Sequence, residues 1–164
     1  MPDKAPQSWK MPPLIKIYEA LGALADGRVQ LADDHRALVA SSDGAKIYEV
    51  ELTGQVISAN DNASYWQGYL GYPAIAVMIA RGLLPADPAA LSALRGIPWK
   101  ELNHRFHNDY GRTLEEVARR LERCGASPQA VEAACAATLA ALREYAPLHG
   151  VRRRPPRRGA AIPQ

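Results

Sequence analysis

Residues 46–80 read KIYEVELTGQVISANDNASYWQGYLGYPAIAVMIA, and this stretch decides the fold. Ile47, Tyr48, Val50 and Leu52 make a strand-like run of β-branched and aromatic residues, the types that fit a pleated, half-buried surface. Thr53-Gly54 turns the chain into a second short strand at Val56 and Ile57. A polar loop follows, and Tyr72-Pro73-Ala74-Ile75-Ala76 opens a helix. Residues 72–84 are apolar nearly all round, with Arg81 the one charged side chain, the pattern of a helix buried on every side. The expectation is a hairpin followed by a helix at the centre of the domain.

Upstream, Val29 and Leu31 and then residues 37–40 alternate in the same way, separated by Asp33-Asp34 and Ser42-Asp43-Gly44. Asp-Gly is a hairpin signal because both residues tolerate positive φ. Together these runs predict an antiparallel meander of three to four strands. Before it, Leu14, Ile17, Leu21 and Leu24 share one helical face, which Asp26-Gly27 ends. Downstream, Asp87-Pro88 starts a short helix through Leu94. Ile97-Pro98 starts another, whose Trp99, Leu102, Phe106 and Tyr110 form a stripe until Gly111. Thr113 with Glu116 reads as a capping box for a helix that buries Leu114, Val117, Leu121 and Cys124. Ser127-Pro128 caps the last helix, lined by Val131, Cys135, Leu139 and Leu142. These two form an α-helical hairpin. The fold class is therefore α+β: residues 1–13 an extended arm, 14–150 one domain with a helical portion at 87–146, and 151–164 a basic tail rich in Pro and Arg.

Over residues 25–84 the layout resembles the SWIM-type zinc finger, a β-β-α module with a Cys-x-Cys pair after the second strand and a Cys-x-His pair at the start of the helix. On that pattern the ligand positions fall on Ser58, Asn60, Ala74 and Ala76. Alanine has no donor atom, so the resemblance is to a degenerate finger with vestigial ligand positions and no metal. What it implies is interaction with DNA or with other proteins.

The 164 residues, 48% hydrophobic and 23% charged, suit one soluble domain. No run of about 18 uncharged apolar residues exists, which argues against a membrane span and a membrane partner. The start, MPDKAPQSWKMPP, lacks the apolar core of a signal peptide, so a cytoplasmic location is expected. The net charge of +3 is unevenly placed. Arg152, Arg153, Arg154, Arg157 and Arg158 are unopposed in the tail, and the rest carries 15 basic against 17 acidic residues. Such a cluster can hold phosphates through counterion release, or serve as a solvated tail that keeps the protein soluble. The two cysteines, Cys124 and Cys135, fall on apolar helix faces and read as buried thiols; a disulfide across the hairpin stays open.

Residues 60–72, NDNASYWQGYLGY, put four aromatics and two glycines into the loop before the central helix. Trp66 and Tyr69 are the candidate partner contacts, because aromatic faces beside flexible backbone can stack bases or grip a partner's side chains. The other reading of these rings is packing that replaces a lost metal. Glu101, His104 and His107, three apart on a helix, have a metal-ligand spacing, but no second copy on another helix completes such a site. No phosphate-binding Gly loop and no nucleophile elbow is present. The sequence thus points to a non-catalytic binding module without cofactor. It holds DNA or RNA by the phosphate backbone through the tail arginines, or acts as an adaptor in a nucleic-acid-associated complex. The alternatives are a structural protein that forms homo-oligomers, and a metal-dependent enzyme using Glu101, His104 and His107.

Overall fold

The computed structural model describes residues 5–150 and 155–159. They form an α+β fold in the order α1 (Ile15–Ala25), β1 (Val29–Leu31), β2 (Arg36–Ala40), β3 (Lys46–Thr53) and β4 (Val56–Ala59). A π-helical turn (Ala63–Gln67) leads into α2 (Tyr72–Ala80). Then come α3 (Pro88–Ala93), α4 (Trp99–Arg105), α5 (Tyr110–Arg123), α6 (Pro128–Tyr145), β5 (Leu148–His149) and β6 (Arg157–Arg158).

Strands β1 to β4 are the expected antiparallel meander, in register Val39 to Tyr48 and Leu52 to Ile57. Alternation sends Ala37, Val39, Tyr48, Val50 and Leu52 to the buried side. Helix α2 covers that face and α1 packs on α2. Ala74, Ile75, Ala76, Val77 and Met78 are all buried, which is why this helix shows apolar residues on every side. Asp87 and Ser127 cap α3 and α6 by accepting from the amides of Ala90 and Ala130.

Two strands escaped the periodicity. The two-residue β5 runs parallel to β4, and β6 pairs with the start of β3, Arg158 opposite Lys46 and Arg157 opposite Ile47. Part of the basic tail is therefore sheet. The described part of the arm is docked: Trp9 N donates to Pro147 O (3.1 Å) and His149 N to Gln7 O (2.7 Å).

The helical portion corrects three expectations. Helix α4 stops at Arg105, because His107 and Asn108 take φ of 52° and 60° and the Asn108 amide closes onto Asn103 O (2.8 Å). Asp109, not Thr113, caps α5 by accepting from the Arg112 amide. Thr113 is buried one turn inside that helix. Cys124 is exposed just past the end of α5, whereas Cys135 is buried; both are free thiols.

Candidate functional site

The loop between β4 and α2 is pinned from below. The Asp61 carboxylate accepts from Ser64 Oγ (2.7 Å) and from the Ser64 amide (3.2 Å), which holds the π-helical turn. Gly71 must lack a side chain here, since a Cβ would run into that carboxylate. Asn60 Oδ1 accepts from the Glu49 amide (2.8 Å) and ties the loop to β3. On this base the turn raises Trp66, which is 72% exposed, with its ring edge-on to Tyr65 (4.6 Å between centroids). Trp66 borders two cavities.

The larger is a cleft of about 600 Å³ between α1, the start of β3, the loop and the α4–α5 junction. Its floor is a hydrogen-bonded chain. Lys16 Nζ and Asn103 Nδ2 donate to the two oxygens of Glu19 (2.9 and 2.7 Å), and Thr113 Oγ1 donates to Asn103 Oδ1 (3.2 Å). The Lys16 ammonium also lies over the Tyr110 ring (4.9 Å). Burial alone favours the neutral amine, but the Glu19 carboxylate beside it outweighs that and raises the Lys16 pKa. Burial pushes the Asp61 carboxyl above its usual range, more than the Ser64 bonds lower it. Burial, with Asp61 nearby, pushes the Tyr48 hydroxyl up to about 12.

Three lysines line the cleft (Lys16, Lys46 and Lys100) against two carboxyls, Glu19 and Asp61, which are 2% and 5% exposed. Lys100 reaches across to Asp43 (3.0 Å). Lys16 is paired with Glu19 and Lys100 with Asp43, so among the described lysines of the cleft Lys46 is the one left to a ligand, with Arg158 opposite it on the β3–β6 ladder.

The smaller cavity, about 210 Å³, is walled by Trp9, Lys10, Ser58, Tyr65, Trp66, Gln67 and His149, among others. Trp9 and His149 stack with centroids 3.5 Å apart at 22°. The Trp9 indole N–H lies between Ile57 O (3.3 Å) and Leu148 O (3.2 Å). This cavity exists because residues 7–10 and 148–150 come together beside β4.

Of the residues expected from sequence, Trp66 stands free in solvent and Tyr69 is half-buried in the wall of the large cleft, its hydroxyl pKa raised by burial. Ser58 lines the smaller cavity, Asn60 is occupied with the Glu49 amide, and Ala74 and Ala76 lie in the core. Arg152, Arg153 and Arg154 fall outside the described residues; Arg157 and Arg158 form β6. Glu101 pairs with Arg105 (2.9 Å), His104 borders the cleft, and His107 sits in the left-handed turn, so the three do not share a helix face. Among the described residues no group of three His, Cys, Asp or Glu side chains is placed to hold a metal ion. No described helix is long and apolar enough to cross a membrane.

The residues that sequence reading missed are Lys16, Glu19, Asn103, Trp9 and His149. One signal was available: Lys16 and Glu19 are an i,i+3 ion pair on a helix otherwise apolar between Leu14 and Leu24. Nothing local marks the rest, whose partners lie on other elements.

A family model described as uncharacterised conserved protein UCP014422 matches residues 9–147. The matched segment thus runs from Trp9 to Pro147, the two residues whose backbones are hydrogen-bonded to each other. No curated protein matches the chain. No solved structure matches it.

Proposed function

The chain belongs to this family, and from its own site we propose that it is a non-catalytic module binding single-stranded nucleic acid along the cleft beside Trp66. The observation that carries the reading is the Trp66 indole, 72% exposed on a pinned turn beside a cleft that Lys46 also lines. An exposed indole on a rigid base offers a stacking face with little ordering cost, and base–aromatic stacking is sequence-tolerant. Lys46 and Arg158 supply phosphate contacts without sequence choice. The arginines at 152–154 and 157 extend this phosphate-binding role into the tail.

We also propose that residues 25–84 are a degenerate SWIM-like finger. On that reading Asn60 and Asp61 hold by hydrogen bonds a loop that a metal holds elsewhere, and Ala74 and Ala76 have become core.

The test is anisotropy titration of labelled DNA and RNA single strands with the full chain across a salt series. Trp66→Ala is expected to weaken binding by about 5- to 150-fold, the worth of one stacked base, with an unchanged melting temperature. Removing residues 151–164 should lower the salt slope. A chain that binds neither strand at low salt refutes the proposal. If Trp66→Ala instead changes the oligomeric state, the indole belongs to a homo-interface, the rival reading.

A further inference from the structure

We propose that the smaller cavity, which Trp66 also borders, is a slot for a single nucleobase, so that two neighbouring bases of one strand both reach the indole. The inference rests on the single-strand reading above and adds to it a second position, built by the two ends of the chain.

At about 210 Å³ the cavity lies below the roughly 300–1,000 Å³ that holds a drug-sized ligand, so its occupant is one small ring system. Its walls are aromatic on two sides, the Trp9–His149 stack and the Tyr65–Trp66 pair, which suits a planar group with π-faces. Between them lie the Ser58 hydroxyl and the Gln67 amide, groups that both donate and accept and so match the edge of a heterocycle. Lys10 at the same cavity supplies a cation for the phosphate attached to that base.

The slot is also held in place. The Trp9 indole is oriented by the carbonyls of Ile57 and Leu148, and the His149 backbone amide donates a hydrogen bond to Gln7 O. A Cβ at Gly150 would overlap Ser58 Oγ, so the chain there must be glycine for β5 to close against β4. Trp66 borders both cavities, so one indole is within reach of bases in each.

The experiment uses the full chain and a labelled single strand of about twelve nucleotides, within the usual site size. His149→Ala removes half of one aromatic wall; His149→Phe keeps a ring there and controls for damage to β5. Heteronuclear NMR follows the Trp9 indole N–H signal during titration of unlabelled strand. The expected result is a loss of about 5- to 150-fold for His149→Ala, affinity retained in His149→Phe, and a shifted Trp9 signal at saturation. Binding that depends on Trp66 but is indifferent to both His149 variants, with the Trp9 signal unmoved, overturns the slot and leaves the single-strand reading standing. An equal loss in both variants, with Trp9 unmoved, also overturns it, since the effect is then one of folding. A wild-type chain that binds no strand overturns both.

Discussion

The Trp99 indole lies directly on Gly22: a methyl group at position 22 would stand 2.5 Å from Trp99 Nε1. Glycine inside α1 is what allows α4 to seat its first residue against α1 at the edge of the cleft. Two effects compete in Gly22→Ala. Helix propensity favours alanine by about 1 kcal/mol, while overpacking costs about 1–3 kcal/mol. The overlap wins because the clash is with ring atoms of a 2% exposed indole rather than with the end of a flexible side chain. The variant should melt a few degrees lower, and Trp99→Leu should cost less in the Gly22→Ala background than in the wild type. Thermal denaturation of the four proteins decides it; a raised melting temperature for Gly22→Ala contradicts the account.

The Glu19 carboxylate neutralises Lys16 under the cleft and takes a bond from Asn103. Both charged groups are nearly out of water. Glu19→Ala leaves the ammonium without its counter-ion and should cost about 3–5 kcal/mol, the usual penalty for breaking a buried pair. In the double variant Lys16→Met/Glu19→Gln no charge is stranded and Asn103 keeps an acceptor. Its loss should be smaller than that of the single variant. Urea denaturation of both measures the difference, and equal losses would show that the charge is not the issue.

Asp43 titrates abnormally low. Burial raises its pKa, but the Ser41 hydroxyl, the Ala45 amide and Lys100 overcome that and hold it at about 2. An acid whose folded pKa lies below its unfolded value, about 3.9, stabilises the fold above that value. The contribution disappears as pH falls through about 2. The wild type should therefore lose melting temperature more steeply than Asp43→Asn between about pH 4 and pH 2. Parallel curves would remove Asp43 from the acid response.

The cysteines should separate by reactivity. Cys124 is exposed, while Cys135 is buried, and burial pushes its thiol up to about 12. A thiol-specific chromogenic reagent should titrate one group per native chain and two in denaturant. Cys124→Ser should abolish the native reaction; a reaction that survives would place Cys135 in reach of solvent.

The sheet and the helix starts were legible because each rests on a local rule. Alternation in residues 46–52 put Tyr48, Val50 and Leu52 on one face, and Asp87 and Ser127 cap their helices as their side chains predict. Trp66 was legible as a candidate contact because it stands among turn residues, where a large apolar side chain finds little to pack against. The remainder depends on partners far along the chain. A two-residue strand such as β5 has no period to detect, and its pairing is made by Trp9 and Gln55. Thr113 looked like a cap because a cap and a buried hydroxyl use the same residue type; only Asn103 on the neighbouring helix separates them. The end of α4 was foreshadowed by Asn108-Asp109, a pair suited to left-handed backbone and to N-capping, but the aromatic spacing through Tyr110 masked it.

The clasp between Trp9 and Leu148 joins positions 139 residues apart. Closing so long a loop has an entropic cost that local contacts cannot offset in advance. The meander and α2 can form from contiguous chain, but the Trp9–His149 wall cannot exist until both ends have arrived. In the order of assembly the smaller cavity is thus finished after the sheet that supports it. It is also the part that a cut near either end removes first: a chain shortened to start after Trp9 or to stop before Leu148 would keep the β1–β4 meander and lose its aromatic slot.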